Sequence, residues 1–345
     1  MSENSKIVYW CNNLRALATI GVIVIHVTMN LVAFDTNNIY WNIGNLMNGL
    51  SRFSVPLFVL ITGSFLLSAN KEIHTKSFLQ KRMIRVLIPF IFWNSLYSVY
   101  QLKLYYGVGH PFELPVFLNM VKDHWFNGAA LHLWYIYILI GLYLFIPILN
   151  KWVQKASVKD FLYFILLWGI SLFFFDKNSN LYYTVSSFAG FIGYLVLGYF
   201  LYIKDISVQK YILPICIYLF LLGLSITVLG TFYLRASNGY FTPVLYEFLA
   251  PNVVLMTVSI FVFAKHWAFF NQDFKILRII SQYSFGIYLI HIFILWFLDR
   301  LGISYSFINP YIGIFITTAL CLSVSLCILW IMAKVPVLRQ VTGKV

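Results

Sequence analysis

An all-α, polytopic bundle of about ten transmembrane helices is the fold that this sequence predicts, and three observations predict it. Of the 345 residues, 61% are hydrophobic and only 10% charged, whereas a soluble domain carries about 25% charged residues. The apolar residues come in continuous runs of bilayer-spanning length, not in alternating ten-residue segments, which favours helices over a membrane β-barrel. The basic residues alternate between joints. Of the 24 lysines and arginines, 17 fall on the side of the N-terminus, five fall opposite, and Arg15 and Arg52 lie within runs. That asymmetry gives an N-in, C-in orientation and accounts for most of the +13 net charge. A soluble basic face that could bind nucleic acid is not visible.

The runs occupy 8–34, 46–69, 84–106, 131–149, 159–175, 184–203, 211–233, 246–264, 279–298 and 308–332. The first is too long for a secretory h-region, contains ionisable residues and lacks a small-residue cleavage site, so it is expected to stay as a span. It carries Arg15 and His26. Eleven residues at about 100° each make three turns plus roughly 20°, which puts both side chains on one face about 16 Å apart. An ionisable side chain at that depth costs roughly 2.5–3.5 kcal/mol on insertion scales, so two on one stripe point to a functional path. His26 suits proton transfer near neutral pH; its structural alternative is a hydrogen-bonded core histidine. For Arg15 the alternative is a snorkelling anchor.

The joint before the third run and the mouth of that run hold Lys71, Lys76, Lys81, Arg82 and Arg85. Arg82 and Arg85, at i and i+3, share a face and suit bidentate phosphate binding, although plain positive-inside anchoring would place them there too. The stretch 107–130, with Gly107, Gly109, His110, Pro111, Pro115 and His124, is expected outside as a re-entrant or covering loop. His132, Trp134 and Tyr135 open the fourth run, as an interfacial aromatic belt or a platform for a sugar. Glu247 is the carboxylate expected at membrane depth, able to pair with Arg52 or Arg235 or to bind an acceptor. The ninth run carries Ser281, Ser284, Tyr288 and His291 at steps of 3, 4 and 3, a polar face in an apolar helix. Such a face belongs in the bundle interior, for interhelical hydrogen bonding or for substrate. Cys11, Cys216, Cys321 and Cys327 are dispersed, without metal or disulfide spacing, and read as small apolar filler. There is no soluble domain, so residues 1–345 are expected to form one membrane domain. No P-loop, zinc motif or dinucleotide fingerprint appears, so a pump would have to run on ion gradients.

Asn13-Leu14-Arg15 followed by His26 resembles the arginine–histidine signature of the acyltransferase-3 family. Four further stretches agree in family order: Pro56-Leu57-Phe58 to Thr62-Gly63-Ser64-Phe65, Arg82-Met83-Ile84-Arg85, His132-Leu133-Trp134-Tyr135, and Ser284-Phe285-Gly286-Ile287-Tyr288-Leu289-Ile290-His291. The chain most resembles the branch that O-acetylates bacterial surface polysaccharides, including enterobacterial common antigen. The resemblance implies a multi-pass enzyme of the bacterial cytoplasmic (inner) membrane. It would move an acetyl group from cytosolic acetyl-CoA to a hydroxyl of an extracytoplasmic or lipid-linked glycan, without a metal. His26 would be the base or acyl carrier, with Arg15 beside it, and Arg82 and Arg85 would hold the nucleotide phosphates. Beside the resemblance, the residues themselves offer His132, Trp134, Tyr135, Glu247, Ser284, Tyr288 and His291 as substrate contacts. The sequence departs from the pattern at Asn12, where members often have Asp. The rival class is a gradient-driven transporter or glycan exporter, which would also bury Arg, His and Glu around a central path. A non-catalytic membrane subunit would need neither His26 nor Arg15. The paired Arg82 and Arg85 and the lack of a related half-repeat favour the enzyme.

Overall fold

Every regular element is helical in the computed structural model, which describes residues 9–34, 38–67, 73–174, 180–204 and 211–344. Lys6, Lys71, Lys177 and Lys210, used in the charge count, lie outside the described residues. In chain order the long helices are α1 (Tyr9–Phe34), α2 (Asn38–Ser51), α3 (Ser54–Leu66), α4 (Thr75–Gly107), α5 (Leu114–Asp123), α6 (Trp134–Lys155) and α7 (Val158–Phe174). Then follow α8 (Asn180–Ile203), α9 (Ile212–Asn238), α10 (Pro251–His266), α11 (Lys275–Arg300), α12 (Pro310–Met332) and the short α13 (Pro336–Arg339). Among the described residues, eight helical stretches are long and apolar enough to cross a membrane, with α2 and α3 counted together. The 17-residue α7 and the helix α8 occupy the two remaining runs.

The boundaries follow from local chemistry. The second apolar run is two helices because Pro56 has no N–H and its ring collides with the carbonyl four residues back, that of Arg52. The chain turns at Arg52–Phe53, where the Arg52 N–H reaches the Gly49 carbonyl at 3.2 Å, and α3 starts again at Ser54. Ser157 and Asp160 cap α7 reciprocally: the Ser157 N–H and Oγ–H both donate to Asp160 Oδ2, at 2.7 and 2.8 Å. Gly239 ends α9 in the left-handed region, at φ 78°, which lets its N–H close on the Arg235 carbonyl at 2.9 Å. Asn309 opens α12 by accepting from the Ile312 N–H at 3.1 Å, with Pro310 in the first turn. Lys265, near the end of α10, donates to the carbonyls of Leu201, Tyr202 and Lys204 at 2.9 Å each. It therefore satisfies the last carbonyls of α8 and sets the ends of the two helices side by side.

Apolar on nearly all sides, α1 is the helix around which the others pack. It touches α2, α3, α10, α11 and α12. One apolar core joins it to α3, α6, α8 and α10 through Leu14, Leu60, Leu142, Tyr194 and Phe261; another joins it to α4, α11 and α12 through Ile23, Phe90, Ile287 and Cys321. The closest helix contact is between α3 and α8, where Gly63 lies against the Leu195 carbonyl and Gly198 against that of Leu60. Ser64 Oγ donates across this seam to the Gly198 carbonyl at 3.0 Å. Beyond α13 the chain returns to the bundle: Trp93 Nε1 donates to the Val341 carbonyl at 3.0 Å, and Thr342 is fully buried against Gly286.

Candidate active site

Two cavities flank α1, and the two ionisable residues of that helix divide between them. Arg15 lines a proximal cavity of about 250 Å³, together with Arg82 and Arg85 from α4, Thr62 from α3, Tyr135 and Tyr143 from α6, and Ser284 and Tyr288 from α11. Three guanidinium groups face this space, and among the described residues no carboxylate lines it. A site of that composition calls for an anion, and guanidinium stays charged at any working pH. Gly343, in the returning chain end, closes one side.

His26 lines the distal cavity, of about 790 Å³. Its walls come from α4 (Gln101), from α11 (Trp296, Asp299) and from the segment 123–131, in which α5 continues into a π-turn over His124–Gly128. The covering loop expected over 107–130 is thus a helical cap. Asn94 fixes it by donating to the His124 carbonyl at 3.0 Å and accepting from the Ala129 N–H at 2.9 Å, while Ser98 Oγ meets His124 Nδ1 at 2.9 Å. Burial holds the His124 imidazole below its ordinary pKa, against the opposing pull of Asp123.

A waist of three imidazoles lies beside His26. Its ring centroid is 5.0 Å from that of His291 and 6.2 Å from that of His132, and those two are 4.9 Å apart. His132 and His291 are buried. His291 Nδ1 lies 2.7 Å from the Tyr288 carbonyl and 3.2 Å from that of Ile287. A carbonyl only accepts, so Nδ1 carries the proton and the neutral ring keeps its lone pair on Nε2, which has no partner. The Leu289 carbonyl lies near the His132 ring, yet neither ring nitrogen of His132 makes an aligned hydrogen bond. Tyr288 donates its hydroxyl to the His132 carbonyl and fixes the start of α6 against α11. Among the described residues no group of three or more His, Cys, Asp or Glu is arranged to hold a metal ion.

The backbone of α1 around His26 is pinned from the break in the second run. Arg52, buried there, donates from Nε to Asn48 Oδ1 at 2.8 Å and from Nη1 to the Tyr246 carbonyl at 3.3 Å, with its guanidinium 4.3 Å from the Tyr246 ring. Asn48 Nδ2 in turn donates to the Ile25 carbonyl at 3.1 Å and to Thr28 Oγ1 at 2.9 Å. The carbonyl adjacent to His26 is therefore held by a buried, charged network.

The sequence-predicted residues separate clearly. Arg15, Arg82, Arg85, Tyr135, Ser284 and Tyr288 share the proximal cavity; His26 and Trp134 line the distal one; His132 and His291 stand between. Trp134 and Tyr135, adjacent in sequence, point into different cavities because they mark the boundary. With His132 and Tyr135 buried, the start of α6 is an interior element and not an interfacial belt. Asn12, the departure from the family pattern, accepts from Ser281 Oγ at 3.1 Å and ties α1 to the polar face of α11. Glu247 lies outside both cavities. The stretch Pro243–His266 is long and apolar enough to cross a membrane, but it opens as a 3-10 turn, Pro243–Tyr246, and a bend before Pro251 begins α10; Glu247 is exposed in that bend, next to the Tyr246 that contacts Arg52.

Sequence reasoning passed over Asp123, Asp299 and Trp296, all in the distal wall. A signal for Asp299 was present: His291, Leu295 and Asp299 continue the α11 stripe at steps of four. Arg52 was placed within a span but given no partner beyond Glu247. Its i−4 neighbour Asn48 was the missing clue.

Searches of curated proteins and of solved structures find no match. The model of a family described as an acyltransferase domain matches residues 8–333. That match contains α1 through α12, both cavities except Gly343, and the three imidazoles, so the chain belongs to the acyltransferase-3 family and is a multi-pass membrane acyltransferase.

Proposed function

We propose that this acyltransferase is an O-acetyltransferase that takes the acetyl group of cytosolic acetyl-CoA and places it on a hydroxyl of an extracytoplasmic or lipid-linked glycan at a bacterial inner membrane. One observation carries the reading: a cavity lined by three arginines and, among the described residues, no carboxylate lies on one side of the three imidazoles, and a larger one holding His26 lies on the other. The charge asymmetry of the joints supports a cytosolic position for the arginine side. A polyanionic donor suits the first cavity. Arg82 and Arg85 grip its phosphates at the mouth, and Arg15 guides the uncharged arm along α1 over the roughly 16 Å to His26.

At the waist His26 takes the proton of the acceptor hydroxyl as its oxygen attacks the thioester carbonyl. The carbon–sulfur bond breaks, and the departing thiolate recovers the proton from the imidazolium, so an ester and free coenzyme A leave. His291, with its Nε2 lone pair toward the cluster, steadies the positive charge on His26 in passing. In a variant of the same scheme His26 itself attacks the thioester carbonyl, the carbon–sulfur bond breaks and coenzyme A leaves with the imidazole proton. The acceptor hydroxyl then takes the acetyl group from the acetyl-imidazole and returns its proton to the ring. Both need His26. In nanodiscs with acetyl-CoA and purified glycan, His26→Ala should lose at least about 100-fold in turnover while still binding coenzyme A by calorimetry. Near-normal turnover would sink the assignment. Mass spectrometry of surface glycans from cells with and without the protein identifies the acetylated sugar.

A further inference from the structure

We propose that the distal cavity is an acceptor subsite that selects a sugar ring carrying no anionic group. The inference rests on the acetyltransferase reading and adds the chemistry of the acceptor. The cavity, about 790 Å³, lies within the roughly 300–1,000 Å³ of small-molecule sites. Among the described residues its charged lining is Asp123 and Asp299, with no lysine or arginine. Asn127 donates to Asp123 Oδ1 at 2.6 Å and so fixes that carboxylate against the cap. His124, kept neutral at pH 7 by its burial, does not offset the two carboxylates. Trp296 is held by stacking on Tyr100, 5.1 Å between centroids at 17°, and Trp134 stacks on Phe248 at 5.7 Å and 21°. At the cavity's inner end His26 adjoins the buried His291, whose Nε2 has no partner.

Rigid indoles, amide groups and carboxylates are what a pyranose needs. Its C–H face packs on an aromatic ring, and its hydroxyls donate to carboxylate oxygens in charge-assisted hydrogen bonds. A uronate, sialate or phosphate on the same ring would instead meet two like charges with no cation in the wall. That is selectivity by repulsion as well as by attraction. The arrangement is the reverse of the proximal cavity, with its three arginines and no acid among the described residues.

The test is direct binding, which needs no turnover. The full chain in nanodiscs of neutral lipid is titrated by calorimetry with an N-acetylglucosamine trisaccharide and with a trisaccharide of equal length containing glucuronate. The neutral sugar should bind at least tenfold tighter. Asp299→Lys should bring the two affinities within about threefold, and Asp123→Asn should narrow the ratio independently, should either variant fold poorly. Coenzyme A titration of each variant serves as the folding control. Equal or tighter binding of the glucuronate sugar, no binding of either sugar, or an unchanged ratio in both folded variants overturns the proposal. Selective binding without acetyl transfer would instead leave the subsite standing and remove the transferase reading.

Discussion

Arg15, Arg82 and Arg85 come from two helices 60 and more residues apart in sequence, yet they line one cavity that has no carboxylate among the described residues. Such an arrangement stabilises an anion by several charge-assisted bonds, each worth about 1.5–3 kcal/mol net. Arg85→Ala should therefore raise the KM for acetyl-CoA about tenfold or more with little change in kcat, and the double variant with Arg82→Ala should be worse. Unchanged coenzyme A affinity by calorimetry in both variants would make these residues topological anchors only. The pair was legible because an i, i+3 spacing fixes a shared helix face. Arg15 and His26 were legible for the same reason, together with the expense of ionisable groups in an apolar run. His132 and His291 were visible as polar residues, but not as neighbours of His26. Their meeting depends on how α6 and α11 lean on α1, and no helical period contains that. The carboxylates of the distal wall escaped because Asp123 and Asp299 sit at helix ends, where charges are ordinary.

At the scale of elements, helix existence followed from apolar run length, while helix breaks followed from single residues. Pro56 splits the second run at Arg52, and the buried Arg52 sits at the break. A hydropathy window averages over such a residue and misses the break. The α3–α8 seam shows the same dependence on one atom: a Cβ built on Gly63 would stand 2.0 Å from the Leu195 carbonyl oxygen. Gly63→Ala should force the helices apart and lose about 1–3 kcal/mol of stability, read as a lower Tm in detergent, whereas Gly169→Ala, with nothing within 4 Å of its added carbon, should not. Equal Tm values would show that the seam yields without cost.

The cap over the distal cavity makes a pH prediction. His124 has a pKa lowered by burial below the 6.5 of a free histidine, so between the two values the opened cap binds more protons than the closed one. The contribution to closure is complete above pH 6.5 and is lost as pH falls through the folded-state value. Amide exchange of residues 114–130, corrected for intrinsic rates, should thus accelerate on going from about pH 7.5 to about 5.5. His124→Gln, which cannot titrate, should flatten that response. A wild-type cap equally protected across the range would exclude His124 from holding it shut.

For the whole molecule, donor and acceptor chemistry require the two cavities to face opposite compartments. Lys265 joins the ends of α8 and α10 and so sets both at one end of the bundle, the end that the charge bias would make cytosolic. Both depend on the chain alternating through the bilayer, and a test of sidedness is therefore a test of the reaction. Cys11, Cys216 and Cys321 are buried and Cys327 is exposed, so a background lacking all four is needed. In it, Ser77→Cys at the start of α4 and Asn119→Cys in α5 introduce single exposed thiols at the two ends of the third span. On intact cells a membrane-impermeant thiol reagent should label the variant at 119 and spare the one at 77, and permeabilised cells should label both. The reverse pattern would turn the three arginines toward the side without coenzyme A. The cationic cavity would then need another anion, and acetyl transfer from a cytosolic donor could not be what this bundle does.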